Sequence, residues 1–284
     1  MYFVRDDTGA HLGEAMQIML GKYQLHFGEE PCITGKNGSG TVFFSGCRLG
    51  CVFCQNEPIS RGRIGEPVSV EQLADIFREL EDAGAHNINL VTGEHYTRQI
   101  IEAFDIYRPD IPVVWNSSGY ESIENLKLLE SYVDVYLPDF KYADRELSAK
   151  FSRRADYPDV AYNTITEMLR QKGNPVMNED GMITRGVIIR HLVLPLHLKN
   201  TERVLNIIRN NFPEAWVSLM LQYTPVIHSN DFPELNRKLT EREGKRAIDM
   251  LFESGIENGY VQDCMSAGKD LIPDWDAGIK GKIK

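Results

Sequence analysis

Thr41-Val42-Phe43-Phe44-Ser45-Gly46-Cys47-Arg48-Leu49-Gly50-Cys51-Val52-Phe53-Cys54-Gln55-Asn56 reads as a strand that runs directly into a cysteine loop. Residues 41–46 are mostly apolar on both faces, as a parallel strand under helices should be. Past the loop the period changes from two to 3.6. Ser69 is a good N-cap and Gln72 stands where a capping box needs it. Leu73, Ile76, Phe77 and Leu80 then share one helical face before Gly84 stops the helix. Strand, loop and helix form the repeating unit.

The unit recurs along the chain. Further strands are expected at 87–92, 112–117, 133–140, 186–194 and 216–223, with helices at 97–107, 122–130, 158–172 and 201–210. Thr240 and Glu243 form a second capping box, opening a helix that runs to about Ser254. Six strands alternating with helices make an α/β fold with a parallel sheet, curled into a partial or full (β/α) barrel. A doubly wound sheet has the same periodicity and competes with it. No Pro/Gly/Ser linker divides the chain, so residues 1–284 read as one domain. Its barrel core spans about 38–230, behind a lead-in at 1–37, with a C-terminal helix and tail at 231–284.

Bulk composition narrows the function. With 42% hydrophobic and 25% charged residues the chain can build an ordinary core. A net charge of −10 argues against nucleic acid and anionic lipid as general partners. The first ten residues carry Asp6 and Asp7 and no apolar core, which is not a signal peptide, and no apolar run is long enough to span a membrane. Of five cysteines, three lie within the eight residues 47–54. That clustering makes a poor disulfide framework and a good metal or cluster site in a reducing compartment, hence a cytoplasmic location.

Cys47, Cys51 and Cys54 have Cx₃Cx₂C spacing. A cubane [4Fe–4S] cluster is normally held by four thiolates, so three from one loop leave an iron open to a ligand. The bland alternative is a zinc knuckle, or a closed cluster completed by Cys32, Cys264, His26 or His95. Zinc sites favour paired CxxC knuckles, and no second pair exists.

Cx₃Cx₂C with Phe53 before the third cysteine resembles the signature of the radical S-adenosylmethionine (SAM) superfamily. The likeness extends to His26-Phe27-Gly28-Glu29-Glu30-Pro31, Gly38-Ser39-Gly40-Thr41, Asn87-Ile88-Asn89-Leu90-Val91-Thr92, Asn116-Ser117-Ser118-Gly119-Tyr120, Asp139-Phe140-Lys141-Tyr142, Arg190-His191-Leu192-Val193-Leu194-Pro195 and Gln222-Tyr223. Together these are similar to the PflX group, proteins related to the pyruvate formate-lyase-activating enzyme. The resemblance covers about residues 26–255 and implies a partial (β/α)₆ TIM-like barrel with the cluster at its C-terminal mouth.

The resemblance also implies residue roles. The family's Gly-Gly-Glu, which receives the SAM amino group, is matched by Thr92-Gly93-Glu94, so Gly93 and Glu94 carry over and the first glycine does not. Its Asp-Thr-Asn-Gly, near the SAM carboxylate and ribose, is matched by Asn116-Ser117-Ser118-Gly119, which assigns Asn116 and Ser118 to SAM and removes the acid. Asp139 and Lys141 match an Asp-x-Lys whose lysine faces SAM, and Arg190 matches an arginine that approaches it. Each has a plainer reading: a βα turn at Gly93, a solvated lysine at 141, an internal salt bridge at Arg190. His95, His191, Gln222 and Tyr223 read as locally packed or hydrogen-bonded groups, Glu29 and Glu30 as solvated, and Cys32 and Cys264 as isolated thiols. Extra CxxC pairs are missing, so one cluster is expected. The implied reaction is reductive cleavage of SAM to methionine and a 5′-deoxyadenosyl radical, with flavodoxin or ferredoxin as electron donor and a glycyl-radical enzyme as target. A small molecule, peptide or RNA substrate is the nearest rival, and a non-catalytic metal-binding or electron-transfer protein is the rival from another class.

Overall fold

The computed structural model describes residues 17–225, 229–262, 273–275 and 277–283; Cys264 and the first ten residues lie outside these. In chain order the elements are β1 (Ile18–His26), α1 (Pro31–Thr34), β2 (Ser39–Phe44), α2 (Glu57–Ser60), β3 (Glu66–Val68), α3 (Val70–Asp82), β4 (Ile88–Val91), α4 (Thr97–Ile106), β5 (Val113–Ser117), α5 (Ile123–Leu129), β6 (Val135–Pro138), α6 (Arg145–Ser152), α7 (Tyr157–Lys172), β7 (Val176–Met177), β8 (Ile183–Leu192), α8 (Leu198–Asn211), β9 (Trp216–Met220), α9 (Glu241–Glu253) and β10 (Gly259–Gln262).

The sheet order is β10-β9-β8-β6-β5-β4-β2-β1-β3, and every pairing along that order from β10 to β2 is parallel, while the short β7 pairs antiparallel with β8 off this path. Successive parallel strands are laid down in one direction only. A doubly wound sheet would reverse at a switch point, so that competitor falls. The two faces are covered differently. Val42, Leu90, Trp115, Tyr136, Ile189 and Val217 pack in one large core with residues from all the helices α3 to α9. The alternate residues Val114, Val135, Leu137 and Ile188 instead meet Cys32 and Ile33 of the short α1. Helices on a single face curl the sheet around its other face, which makes a partial TIM-like barrel with α1 as the plug of its interior.

Both capping boxes form, Ser69 with Gln72 and Thr240 with Glu243, each contributing about 1 kcal/mol to its helix. The structure adds elements that the period analysis passes over. β1 pairs antiparallel with β2, and β3 pairs with the first residues of β1, so the lead-in extends the sheet. α6 is capped by the Asp144 carboxylate, which accepts the N–H groups of Glu146 and Leu147. No helix among the described residues is long and apolar enough to cross a membrane.

Candidate active site

Parallel strands all deliver their C-terminal ends to one mouth, and the loops that follow them meet there. The first carries the three cysteines. Its conformation is fixed from outside: Val52 N–H donates to Phe151 O (2.9 Å) and Ser152 Oγ donates to Cys51 Sγ (2.9 Å), both partners belonging to α6. The Phe53 ring stands edge-on to Tyr142, Phe151 and Tyr223 at 6.3–6.4 Å, which walls the loop with aromatic surface. Burial pushes the Cys47 thiol up, and so do the charges of Glu94, Cys51 and Cys54. Burial and the neighbouring Cys51 do the same to Cys54, with Ser60 and Lys141 opposing. The thiols are therefore near enough to feel one another's charge, and three thiolates together there would need positive charge. Among the described residues no three His, Cys, Asp or Glu side chains converge tightly enough to hold one metal ion.

After β4 the chain turns through Thr92 with φ +60°, a left-handed conformation unusual for a β-branched residue. Thr92 stands where the resemblance asks for a glycine, and the backbone has kept the glycine-like turn. Replacing Thr92 with glycine should therefore stabilise the protein, by roughly 1 kcal/mol in urea denaturation, as the strain exceeds glycine's entropic penalty. At Gly93 a Cβ would lie 2.9 Å from Ile100 Cδ1 and 3.1 Å from Trp115 Cη2, so a larger residue would press on both side chains. Glu94 is buried, and among the described residues neither carboxylate oxygen accepts a well-aligned hydrogen bond, although the charge and backbone N–H of Arg48 act on it. The nearby His95 Nε2 is 3.8 Å from Oε1.

Glu121, not singled out from the sequence, accepts hydrogen bonds from Trp115 Nε1 (3.0 Å) and Ser117 Oγ (2.6 Å) and is also buried. Burial, then the charge of Glu94, raises its pKa from 4.5 to about 7. Burial likewise raises Glu94. An acid raised in the folded state binds more protons folded than unfolded, so stability falls as pH rises from about 4.5 to about 7. Thermal melts of metal-free protein should show this decline, and Glu121→Gln should flatten it.

Arg190 on β8 is the centre of the mouth. Its guanidinium donates to Glu29 Oε2 (2.9 Å), Asn116 Oδ1 (2.6 Å) and Asp139 Oδ1 (3.2 Å). Asn116 and Asn89 in turn each donate to Glu29 Oε1 at 3.2 Å. The reading of Glu29 and Glu30 as solvated is thus corrected: the segment between β1 and α1 dips into the barrel, where Arg190 pairs Glu29 and Glu30 is fully buried. Asp139 also pairs with Lys141. Burial disfavours that lysine's charge, but Asp139, followed by Cys51, outweighs it and holds Lys141 above its usual range. Ser118 is buried with its carbonyl on Tyr157 OH (2.9 Å), and a Cβ on the adjoining Gly119, at φ +79°, would lie 2.1 Å from Asp139 O. That loop can approach β6 only as glycine.

The remaining singled-out residues fall into two groups. His191 is packed, with Nδ1 at Phe140 O (2.7 Å) and Nε2 at Thr201 Oγ1 (3.0 Å), and burial lowers it to about 4. Tyr223 donates to Leu235 O (2.7 Å). Cys32 lies in the plug, its thiol raised to about 11 by burial. His26 and Gln222, by contrast, line a pocket of about 100 Å³ in the barrel's mouth together with Glu29, Gln55, Asn56, Asn116 and Arg190.

Comparisons with known proteins agree with this geometry. A family model described as the radical SAM superfamily matches residues 41–190, from β2 through the central arginine. The chain belongs to the radical SAM superfamily. An uncharacterized protein of Methanocaldococcus jannaschii, MJ0674, is 34% identical over 246 residues, covering 83% of this chain and 68% of its own. Among solved structures, methylornithine synthase (PylB) superposes with a TM-score of 0.51 at 16% identity, covering 84% of this chain and 68% of that one. A domain of a pyruvate-formate lyase-activating enzyme from Bacteroides vulgatus reaches a TM-score of 0.37 at 12% identity, over 68% of this chain and 91% of that one.

Radical SAM enzymes bind a [4Fe–4S] cluster and SAM. The residues of this radical SAM chain fit both. Three neighbouring thiols suit the cluster, and the buried carboxylate of Glu94 suits an ammonium group.

Proposed function

We propose that this chain holds a [4Fe–4S] cluster on Cys47, Cys51 and Cys54, and that it removes a hydrogen atom from a glycine of a partner glycyl-radical enzyme. When bound, the cluster and SAM supply reductive cleavage of SAM to methionine and 5′-deoxyadenosine, the hydrogen coming from the substrate. The observation that carries the reading is the juxtaposition at one mouth of three neighbouring thiols and the buried carboxylate of Glu94, whose charge reaches Cys47.

The chain's own residues bind, orient and exclude water. Glu94, beside Gly93, receives the SAM ammonium. Lys141, held by Asp139, places a positive charge near Cys51 and Cys54 and within reach of a carboxylate. Asn116 and Ser118 form the floor toward the ribose, and Arg190, with all three of its nitrogens already bonded, positions Asn116 and Asp139 as well as facing SAM. Aromatic surface around Phe53 keeps water from the loop. A flavodoxin or ferredoxin in the cytoplasm supplies the electron.

Anaerobic reconstitution with iron and sulfide, then dithionite and SAM, tests the reading. Methionine and 5′-deoxyadenosine should form in equal amounts; their absence would support a non-catalytic metal-binding or electron-transfer protein. A second reading, chemistry on a small molecule, is supported by the polar lining of the mouth pocket, with His26, Gln55, Asn56, Asn116, Arg190 and Gln222 facing one space. An electron paramagnetic resonance signal on an added glycyl-radical enzyme, against a metabolite consumed in lysate, separates the two.

A further inference from the structure

The curled sheet is open on one side. At one edge β10 runs along β9. At the other, β3 covers only Ile18–Leu20 of β1 and leaves the outer edge of residues 23–25 to another partner. That partner is the chain's own C-terminal tail. Tyr23 N–H donates to Ile279 O (2.7 Å), Gly281 N–H to Tyr23 O (2.9 Å) and Leu25 N–H to Lys282 O (2.9 Å), while Lys280 pairs with Glu79 of α3. The chain that pairs with one edge through β10 therefore returns to pair with the opposite edge.

Between these two anchors, Pro273 lines the mouth pocket. Trp275 stands edge-on to Phe43 at 5.5 Å and shares a small apolar group with Ile59 and Val91, separate from the main core. Phe43 and Val91 also line the pocket, next to Gln55 and Asn56, which directly follow the last cysteine. Buried Lys22 donates to the carbonyl of Asp274 and holds the segment down. Among the described residues the buried Trp275 indole N–H has no acceptor. An unpaired buried donor is a standing cost, so the ring is there for the space it fills rather than for a bond it makes.

We propose that residues 273–283, apart from the undescribed 276, form a strap that seals the open side of the barrel, with Trp275 as the residue that shuts the pocket beside the cysteine loop. Among the described residues the strap is held by three backbone hydrogen bonds, the Lys22 bond to Asp274, the Lys280–Glu79 pair, Trp275 in its small apolar group, and Ile279 and Ile283 against the main core. It opens at lower cost than the barrel unfolds. The proposal draws on the radical reading only for the purpose of the seal, which is to keep water from the reaction. The seal itself is testable in metal-free protein.

Full-length, reduced, metal-free protein is pulsed with iodoacetamide, and alkylation of Cys47, Cys51 and Cys54 is read by peptide mass spectrometry. Cys32, in the barrel's plug, serves as the internal standard. Hydrogen exchange at the Tyr23 and Leu25 amides, read in parallel, reports whether the strap is seated. Trp275→Ala should raise alkylation of Cys54 about tenfold and speed exchange at both amides, with Cys32 unchanged. Trp275→Phe keeps a ring in place and should retain wild-type rates. Gly281→Pro, which deletes the N–H bonded to Tyr23, releases the strap independently. If either variant frees the two amides while Cys54 alkylation stays at the wild-type rate, the strap does not seal the site. Unchanged SAM cleavage would bear on the proposed function and leave this result standing, because no cofactor is present in the assay.

Discussion

Cys51→Ala is expected to abolish cluster incorporation and to reduce 5′-deoxyadenosine formation to background. Of the three thiols it is the most embedded: it is buried, accepts from Ser152 Oγ, and lies within range of the charge on Lys141. Two thiolates from the loop cannot hold a cubane that normally takes four. The folded chain should survive, since truncating one buried thiol costs about 1 kcal/mol, the loss of a small buried group. Iron and sulfide analysis after anaerobic reconstitution measures the first effect, and a urea melt of metal-free protein measures the second. Cys32→Ala is the control and should reconstitute normally, because Cys32 packs with Ile33, Val114 and Leu137 in the plug. Full iron loading of the Cys51 variant would mean that the cluster sits elsewhere.

Arg190→Met is expected to destabilise metal-free protein by about 3–5 kcal/mol, the range for removing one partner of a buried ion pair. Glu29 and Asp139 would keep their positions and lose the only guanidinium that bonds both. Arg190→Lys should recover part of the loss, since an ammonium has no planar fork to reach Glu29, Asn116 and Asp139 together. The triple variant Arg190→Met, Glu29→Gln, Asp139→Asn should recover most of it, as neutral groups bear burial better than unpaired charges. Urea midpoints at constant slope give these differences. A cost under about 1 kcal/mol for the single variant would class Arg190 with exposed ion pairs, and its internal role would be gone.

Much of the site could be read from the chain because its parts are local. Cysteine spacing is a property of one loop, and the loop follows a strand whose apolar run announces itself. The two capping boxes, Ser69 with Gln72 and Thr240 with Glu243, formed as read because a cap is satisfied within four residues. What failed was non-local. Glu29 and Glu30 look like surface acids until Arg190, 161 positions from Glu29, is placed beside them. Glu121 gives no signal of its own; its burial depends on Trp115 and on the neighbouring Glu94. β1 was missed because its role is to pair with an edge, and edge pairing has no period.

The alternation of strands with helices, the cysteine triplet and the two helix caps were settled by the chain's own residues, since each follows from local spacing and period; the order of the strands in the sheet was not. Which acids are buried, what neutralises the central arginine, and where the tail returns were decided only when distant segments packed. Those outcomes are set by desolvation and charge pairing between groups far apart in the chain. No local pattern carries that information.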